Sequence, residues 1–300
     1  MALYVNTNSE AIVAQDNLNT TEMSLNTAMT DLSSGLRINT AADDAAGYAI
    51  SEDLTSQVNG LNQSTSNAQD ATSLIQTADG ALNDVGQMLQ TIRSLAVEYN
   101  GGTLDATDQN AIVSEVTQLV SQIEQIGSQA QFNGISLFTT SGDASSAIST
   151  SSGGVSFTTL TFQVGADDGQ SISVSLVQLT GSTGLLYGIE QMVASSGGFT
   201  IANVADGATT GALSLISSMI DAVSSLASDF GAVQNRLTYT MDNLSTYSEN
   251  LTSAQSTITD VDMASEETEF TKDQILEQAG ISMLSQAEQN PQAILKLLGA

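Results

Sequence analysis

The sequence predicts a mainly α protein: long helices from both chain ends pack as a coiled coil or helical rod, with a small β-hairpin region in the middle. Three observations carry this. Apolar residues recur at intervals of three, four or seven through both ends of the 300-residue chain, the spacing of a helix with one apolar edge. A Ser/Thr/Gly-rich middle contains the one segment in which apolar and polar positions alternate. Aromatic residues make up only 4% and Trp is absent, which suits helices packed along seams better than a bulky globular centre.

The first helix follows from Ala11, Ala14, Leu18, Leu25, Ala28 and Leu32, and Gly35 interrupts it. The pattern resumes at Ile50 and runs through Leu54, Val58, Leu61, Ala68, Ile75, Leu82, Val85, Leu89 and Ile92 to Ala96. That is a helix of about 50 residues, stopped by the adjacent glycines of the Tyr99–Thr103 stretch. A third helix starts near Asp105, where Asp or Thr can cap it, and shows Ile112, Val116, Leu119, Ile123 and Ile126 before ending near Gly127.

Between about residues 160 and 176, Leu160, Phe162 and Val164 alternate with polar neighbours, as do Ile172, Val174 and Leu176, and Asp168-Gly169 supplies the turn. Residues 177–207 read as a short variable excursion. A second very long helix runs from Leu213 to Ile258, and a last one from about Glu266 to the end, carrying Phe270, Leu276, Ala279, Met283 and Ala287. The two terminal seams must meet in space, so the domains are discontinuous.

Lys and Arg total 5 against 33 acidic residues, a formal charge of −28. Such a field repels nucleic acid and anionic membrane surfaces, and the clustered cations that phosphates need are missing. Cysteine and histidine are both absent, which removes disulfides, thiolate nucleophiles, imidazole bases and the commonest zinc ligands, so no enzyme chemistry and no cofactor are expected. The start of the chain shows neither the basic region nor the apolar run of a signal peptide, and no stretch reaches the ~18 apolar residues of a membrane span.

The adjacent Asp43 and Asp44 invite a metal or acid–base reading, but carboxylates at a break between helices are more simply caps. Asp167-Asp168-Gly169 lacks the alternating ligands and distal Glu of a calcium loop and reads as a hairpin turn. Met29, Met88, Met241 and Met283 occupy seam-like positions and read as core filler.

The runs VNTNSEA (Val5–Ala11), LSSGLRINTAADDAAG (Leu32–Gly47), GALNDVGQMLQTIRSLAV (Gly80–Val97) and QAQFNGISLF (Gln129–Phe138) resemble the N-terminal half of the bacterial flagellins. GAVQNRL (Gly231–Leu237), NLTSAQSTITDVDMASE (Asn250–Glu266) and QILEQAGISMLSQAEQNPQAILKLL (Gln274–Leu298) resemble the closing segment of that family. The resemblance implies a structural subunit that polymerises into the flagellar filament for swimming motility, with 1–44 and 256–300 as a terminal coiled-coil domain, 45–176 and 208–255 as a helical rod that includes the hairpin, and without the large outer domains that many members insert in the middle. It would be extracellular, exported without a cleaved signal peptide, and its partners would be itself, an export chaperone, the filament cap and hook-associated proteins. A hook-filament junction protein of similar length and layout is the alternative.

Under that reading the terminal helices are the assembly elements. Alone they cannot bury Leu18, Leu25, Leu32, Leu36, Leu276, Met283, Leu284, Leu297 and Leu298; partners must do so. Subunits of charge −28 repel each other across a Debye length of ~8 Å, so added salt is expected to favour polymerisation. Arg37, Arg93 and Arg236 lie in the matching motifs and are expected to pair with carboxylates within or between subunits, with Glu115 one partner and Asp43 and Asp44 further polar contacts. The segment holding Gln90, Thr91, Arg93 and Leu95 resembles the stretch that a host Toll-like receptor contacts in family members that activate it. Thr91 and Ser94 depart from the pattern there, which predicts weak or absent signalling.

Overall fold

The computed structural model describes residues 8–101, 103–138, 157–179 and 211–298. Helix α1 spans Ser9–Ser34, α2 Ala45–Tyr99 and α3 Ala106–Gln129; after two hairpins, α4 spans Gly211–Thr259 and α5 Met263–Leu298. Strands β1 (Gln131–Phe132) and β2 (Ile135–Ser136) form one antiparallel pair, and β3 (Phe157–Gln163) and β4 (Ser171–Val177) the other. The expected excursion at 177–207 lies outside the described residues except at its start.

Local chemistry sets the helix limits. Asn8 caps α1 by accepting from the Ala11 amide at 3.2 Å, and Asp105 caps α3 by accepting from the amides of Thr107 and Asp108 at 2.8 and 2.9 Å. Gly35 ends α1 at φ 74°, the left-handed conformation that glycine enters without a Cβ clash, and its amide donates back to the Asp31 carbonyl. The last helix starts at Met263, earlier than the apolar pattern indicates, because Asp262 accepts from the amides of Ala264 and Ser265. The small β1–β2 hairpin was not anticipated. Its signal is the Asn133-Gly134 dipeptide, with φ 49° and 79°, the signs a tight two-residue hairpin turn requires.

The chain divides into two compact units, residues 1–58 with 249–300 and residues 59–248, the boundaries falling inside α2 and α4. Residues 59–248 hold a continuous core. Ile75, Leu82, Val85, Leu89 and Ile92 of α2 meet Val116 and Ile123 of α3, Phe138, and Ile216, Val223, Phe230 and Leu237 of α4. The β3–β4 hairpin closes this core with Ile172, Val174 and Leu176, while Leu160 and Phe162 pair across from Val174 and Ile172. Asn67 on α2 donates to the Gln163 carbonyl at 3.1 Å, and Gly60 gives Ala166 room that a Cβ would fill at 2.9 Å.

In the other unit, α1 packs along α5. Its buried apolar side chains are few and mostly small: Ala28, Ile38 and Ala287 among the described residues.

Candidate assembly surface

The terminal unit is held by backbone and amide bonds at both ends of the helix pair. At one end, Asn8 Nδ2 donates to the Ala287 carbonyl at 2.7 Å. At the other, the break between α1 and α2 is stitched to the break between α4 and α5. The Arg37 amide donates to the Thr259 carbonyl at 2.6 Å, the Val261 amide donates to the Gly35 carbonyl at 3.1 Å, and the Arg37 guanidinium donates to the Ile258 carbonyl at 2.7 Å. Gln255 Nε2 adds a bond to Thr55 Oγ1 at 2.8 Å.

Asp43 and Asp44 serve the turn. Asp43 accepts from the amides of Asn39 and Thr40 and from the Thr40 hydroxyl; chiefly the Thr40 amide, then that of Asn39, holds its carboxyl below the ordinary aspartate range. Asp44 caps α2 by accepting from the amides of Ala46 and Gly47, and a Cβ on Gly47 would fall 2.7 Å from Ile38 Cδ1. Asp167-Asp168-Gly169 also forms a turn, with Gly169 at φ 86°; Gln163 Nε2 donates to the carbonyls of Gly165 and Asp167, so a side-chain amide occupies acceptors that a cation would need.

Two acidic side chains are buried in the terminal unit, Asp31 and Asp273. Asp31 accepts from Asn39 Nδ2 at 2.8 Å, and Lys272 Nζ lies 3.7 Å from Asp273. Nearby Glu266 is pushed above the ordinary glutamate value, first by burial and then by the charges of Asp31, Glu269 and Asp273.

Along the α1–α5 pair, several large apolar side chains stand among the exposed polar ones. Ile12, Val13, Met23 and Met29 on α1 and Met263, Ile275, Leu276, Ile281 and Met283 on α5 are all exposed. A groove of about 640 Å³ runs between the two helices, lined by Val13, Ala14, Leu18, Leu276, Gly280 and Met283 among others. The helices approach closely there: a Cβ on Gly280 would sit 3.2 Å from Leu18 Cδ1. Several hydroxyls on these helices already have acceptors: those of Thr20, Thr21, Thr27 and Thr30 on α1, and of Thr268, Thr271 and Ser282 on α5, donate to carbonyls four residues back.

Leu18, Leu25, Leu32 and Leu284 are half-buried, whereas Leu36, Leu276 and Met283 are exposed. Leu297 and Leu298 belong to α5 by backbone, and their side chains lie outside the described residues. The core-filler reading holds for Met88 and Met241, which pack against the core, and fails for Met29 and Met283, which are 51% and 65% exposed. Their seam spacing is real, but α1 and α5 pair through the neighbouring faces.

Arg37 binds carbonyls of the break, and among the described residues of its own chain it pairs with no carboxylate. The exposed side chains of Arg93, Arg236 and Glu115 make no hydrogen bond or ion pair among the described residues. Arg236 shares an exposed strip of α4 with Asn235, Tyr239 and Asn243. Gln90, Thr91 and Arg93 are exposed on α2, while Leu95 belongs to the core at 9% exposure and does not share their surface. No helix among the described residues is long and apolar enough to cross a membrane.

Comparison with known proteins agrees with this arrangement. The family described as the bacterial flagellin N-terminal helical region matches residues 5–143, and the bacterial flagellin C-terminal helical region matches residues 213–298. The flagellin of Bacillus subtilis (strain 168) is 40% identical, covering 99% of this chain and 100% of its own length. The flagellin of Halalkalibacterium halodurans is 41% identical over the same shares, and the flagellar filament 33 kDa core protein of Treponema phagedenis is 38% identical, again over 99% of this chain and 100% of its own. With both terminal helical regions matched and whole-length relatives at this identity, the chain belongs to the bacterial flagellin family.

Proposed function

We infer that this chain is a structural subunit of the flagellar filament and that it polymerises through α1 and α5. The observation that carries the reading is the set of large apolar side chains exposed along the α1–α5 pair, where several hydroxyls are satisfied within their own helices. An isolated subunit leaves that surface in water; neighbouring copies can remove it at ~25 cal/mol per Å² of apolar area covered. Segments 1–44 and 256–300 are accordingly the polymerising part, with the rod formed by the chain between them.

The exposed Arg93 and Arg236 fit carboxylates of a neighbouring copy, because 33 acidic residues surround only 5 cations in each chain. A guanidinium suits such contacts through its two-pronged geometry. The role is structural, as the names of the flagellin and flagellar filament core relatives indicate. The same reading includes export without a cleaved signal peptide and contacts with an export chaperone, a filament cap and hook-associated proteins, which family membership supports. Gln90, Thr91 and Arg93, separated from buried Leu95, support weak receptor signalling.

Electron microscopy of the purified chain, concentrated in added salt and seeded with short filament fragments, tests the reading. Long filaments of uniform diameter are expected, and deletion of residues 1–44 should abolish them. Persistent monomers overturn polymerisation, and short rings that do not extend point to a hook-filament junction protein.

A further inference from the structure

We propose that the unassembled subunit carries a reversible oxidation site in its terminal helices, centred on Met283 and Met23, and that oxidation there blocks incorporation into the polymer. The inference rests on the reading of α1 and α5 as the assembly surface. The chain has no Cys, Trp or His, which leaves the methionine thioether as its most readily oxidised side chain. The methionines divide by region. All four described ones in the terminal unit are exposed: Met23 at 64%, Met29 at 51%, Met263 at 48% and Met283 at 65%. In residues 59–248, Met219 is buried at 4% and Met88 and Met241 pack against the core.

Position gives the exposure its consequence. Met283 lines the groove between α1 and α5 beside Leu276, and Met23 stands outward on α1. A peroxide is the oxidant: the sulfur lone pair attacks one peroxide oxygen, the O–O bond breaks, an S–O bond forms, and the peroxide is reduced by two electrons to water as the thioether becomes a sulfoxide. Two thiols of a sulfoxide reductase reverse the step, forming a disulfide and water and restoring the thioether. The sulfoxide is a strong hydrogen-bond acceptor, so burying it against a second copy among apolar side chains such as Leu276, which lines the groove with Met283, is unfavourable without a donor to match it. A filament that covers these sulfurs also shields them.

Hydrogen peroxide, applied in parallel to subunits and to preformed filaments and followed by peptide mass spectrometry and polymerisation assays, tests the proposal. In subunits, Met23 and Met283 should oxidise at least ~10-fold faster than Met219, and in filaments both should be protected. Oxidised subunits should show a critical concentration raised by ~10-fold or more, with helix content retained by circular dichroism, and a thiol-dependent sulfoxide reductase should restore polymerisation. The critical concentration of the Met23→Leu, Met283→Leu variant, measured against its own untreated sample, should not change on peroxide treatment. Oxidised subunits polymerising at an unchanged critical concentration, equal reaction in filament and subunit, or loss of polymerisation by the double variant to the same degree as the parent would each overturn it. Untreated subunits that fail to polymerise would remove the assembly reading itself, and this proposal with it.

Discussion

Residues 59–248 and the terminal unit are built from similar helices but keep their large side chains in different places. In the former, Leu82, Leu89, Ile92, Phe138 and Phe230 are nearly inaccessible to solvent. In the latter, burial falls largely to alanines and to polar groups such as Asp31, Thr259 and Asp273, while Leu276, Ile281 and Met283 face outward. The first region closes its core within one chain. The second joins its ends by backbone hydrogen bonds and leaves large apolar side chains exposed, so similar helix-forming patterns serve stability in one case and, as proposed above, association in the other.

The contrast breaks most visibly by truncating one side chain in each region. Phe230→Ala should lower subunit stability by about 3–5 kcal/mol in urea unfolding, through lost transfer and a cavity. Leu276→Ala, at a side chain already 48% exposed, should cost the subunit less than ~1 kcal/mol while strongly impairing filament growth measured by light scattering. Equal destabilisation by the two would show that the terminal surface is already a core in the subunit.

Arginines sharpen the same contrast at a smaller scale. Arg37→Ala removes a charged donor from the Ile258 carbonyl and should reduce the stability of the terminal helices by about 1 kcal/mol, read as earlier loss of amide protection in hydrogen exchange. Arg236→Ala should leave subunit unfolding within about 0.5 kcal/mol of the parent and slow elongation. Unchanged elongation would remove Arg236 from the contact.

Acid provides the finest probe. Glu266, with its folded value raised, contributes stability that is fully present below the ordinary glutamate value and is lost as pH rises through its folded value. Asp43, with its value lowered, contributes stability present above the ordinary aspartate value and lost as pH falls through its folded value. Mild acidification should therefore tighten the terminal helices slightly before stronger acid loosens them, as followed by hydrogen exchange. Glu266→Gln should flatten the first trend and Asp43→Asn should remove the second.

Much of this was legible in the sequence because helical periodicity and turn chemistry are local. The seams from Ile50 to Ala96 and from Leu213 to Ile258, the stop at Gly35 and the alternation around Asp168-Gly169 each read directly into α2, α4, the end of α1 and the β3–β4 hairpin. The assembly surface was less legible. Periodicity marks a residue as apolar and suitably spaced but does not say which neighbour covers it, so Met29 and Met283 looked like filler, and Leu95 could not be separated from Gln90, Thr91 and Arg93 before its packing was known. The partners of Arg37 are backbone carbonyls 221 positions or more along the chain, and a carbonyl has no residue type to read.

The stitch between the two helix breaks has a consequence for how the family can vary in length. It fastens residues 35–37 to residues 258–261 whatever lies between them. Closing a flexible loop becomes costlier only with the logarithm of its length, so doubling the intervening chain would add only about 0.6 kcal/mol of entropy, and less where the added segment folds on itself. A chain fastened this way can gain or shed material in its middle at small thermodynamic penalty, provided that the fastening at its ends is kept.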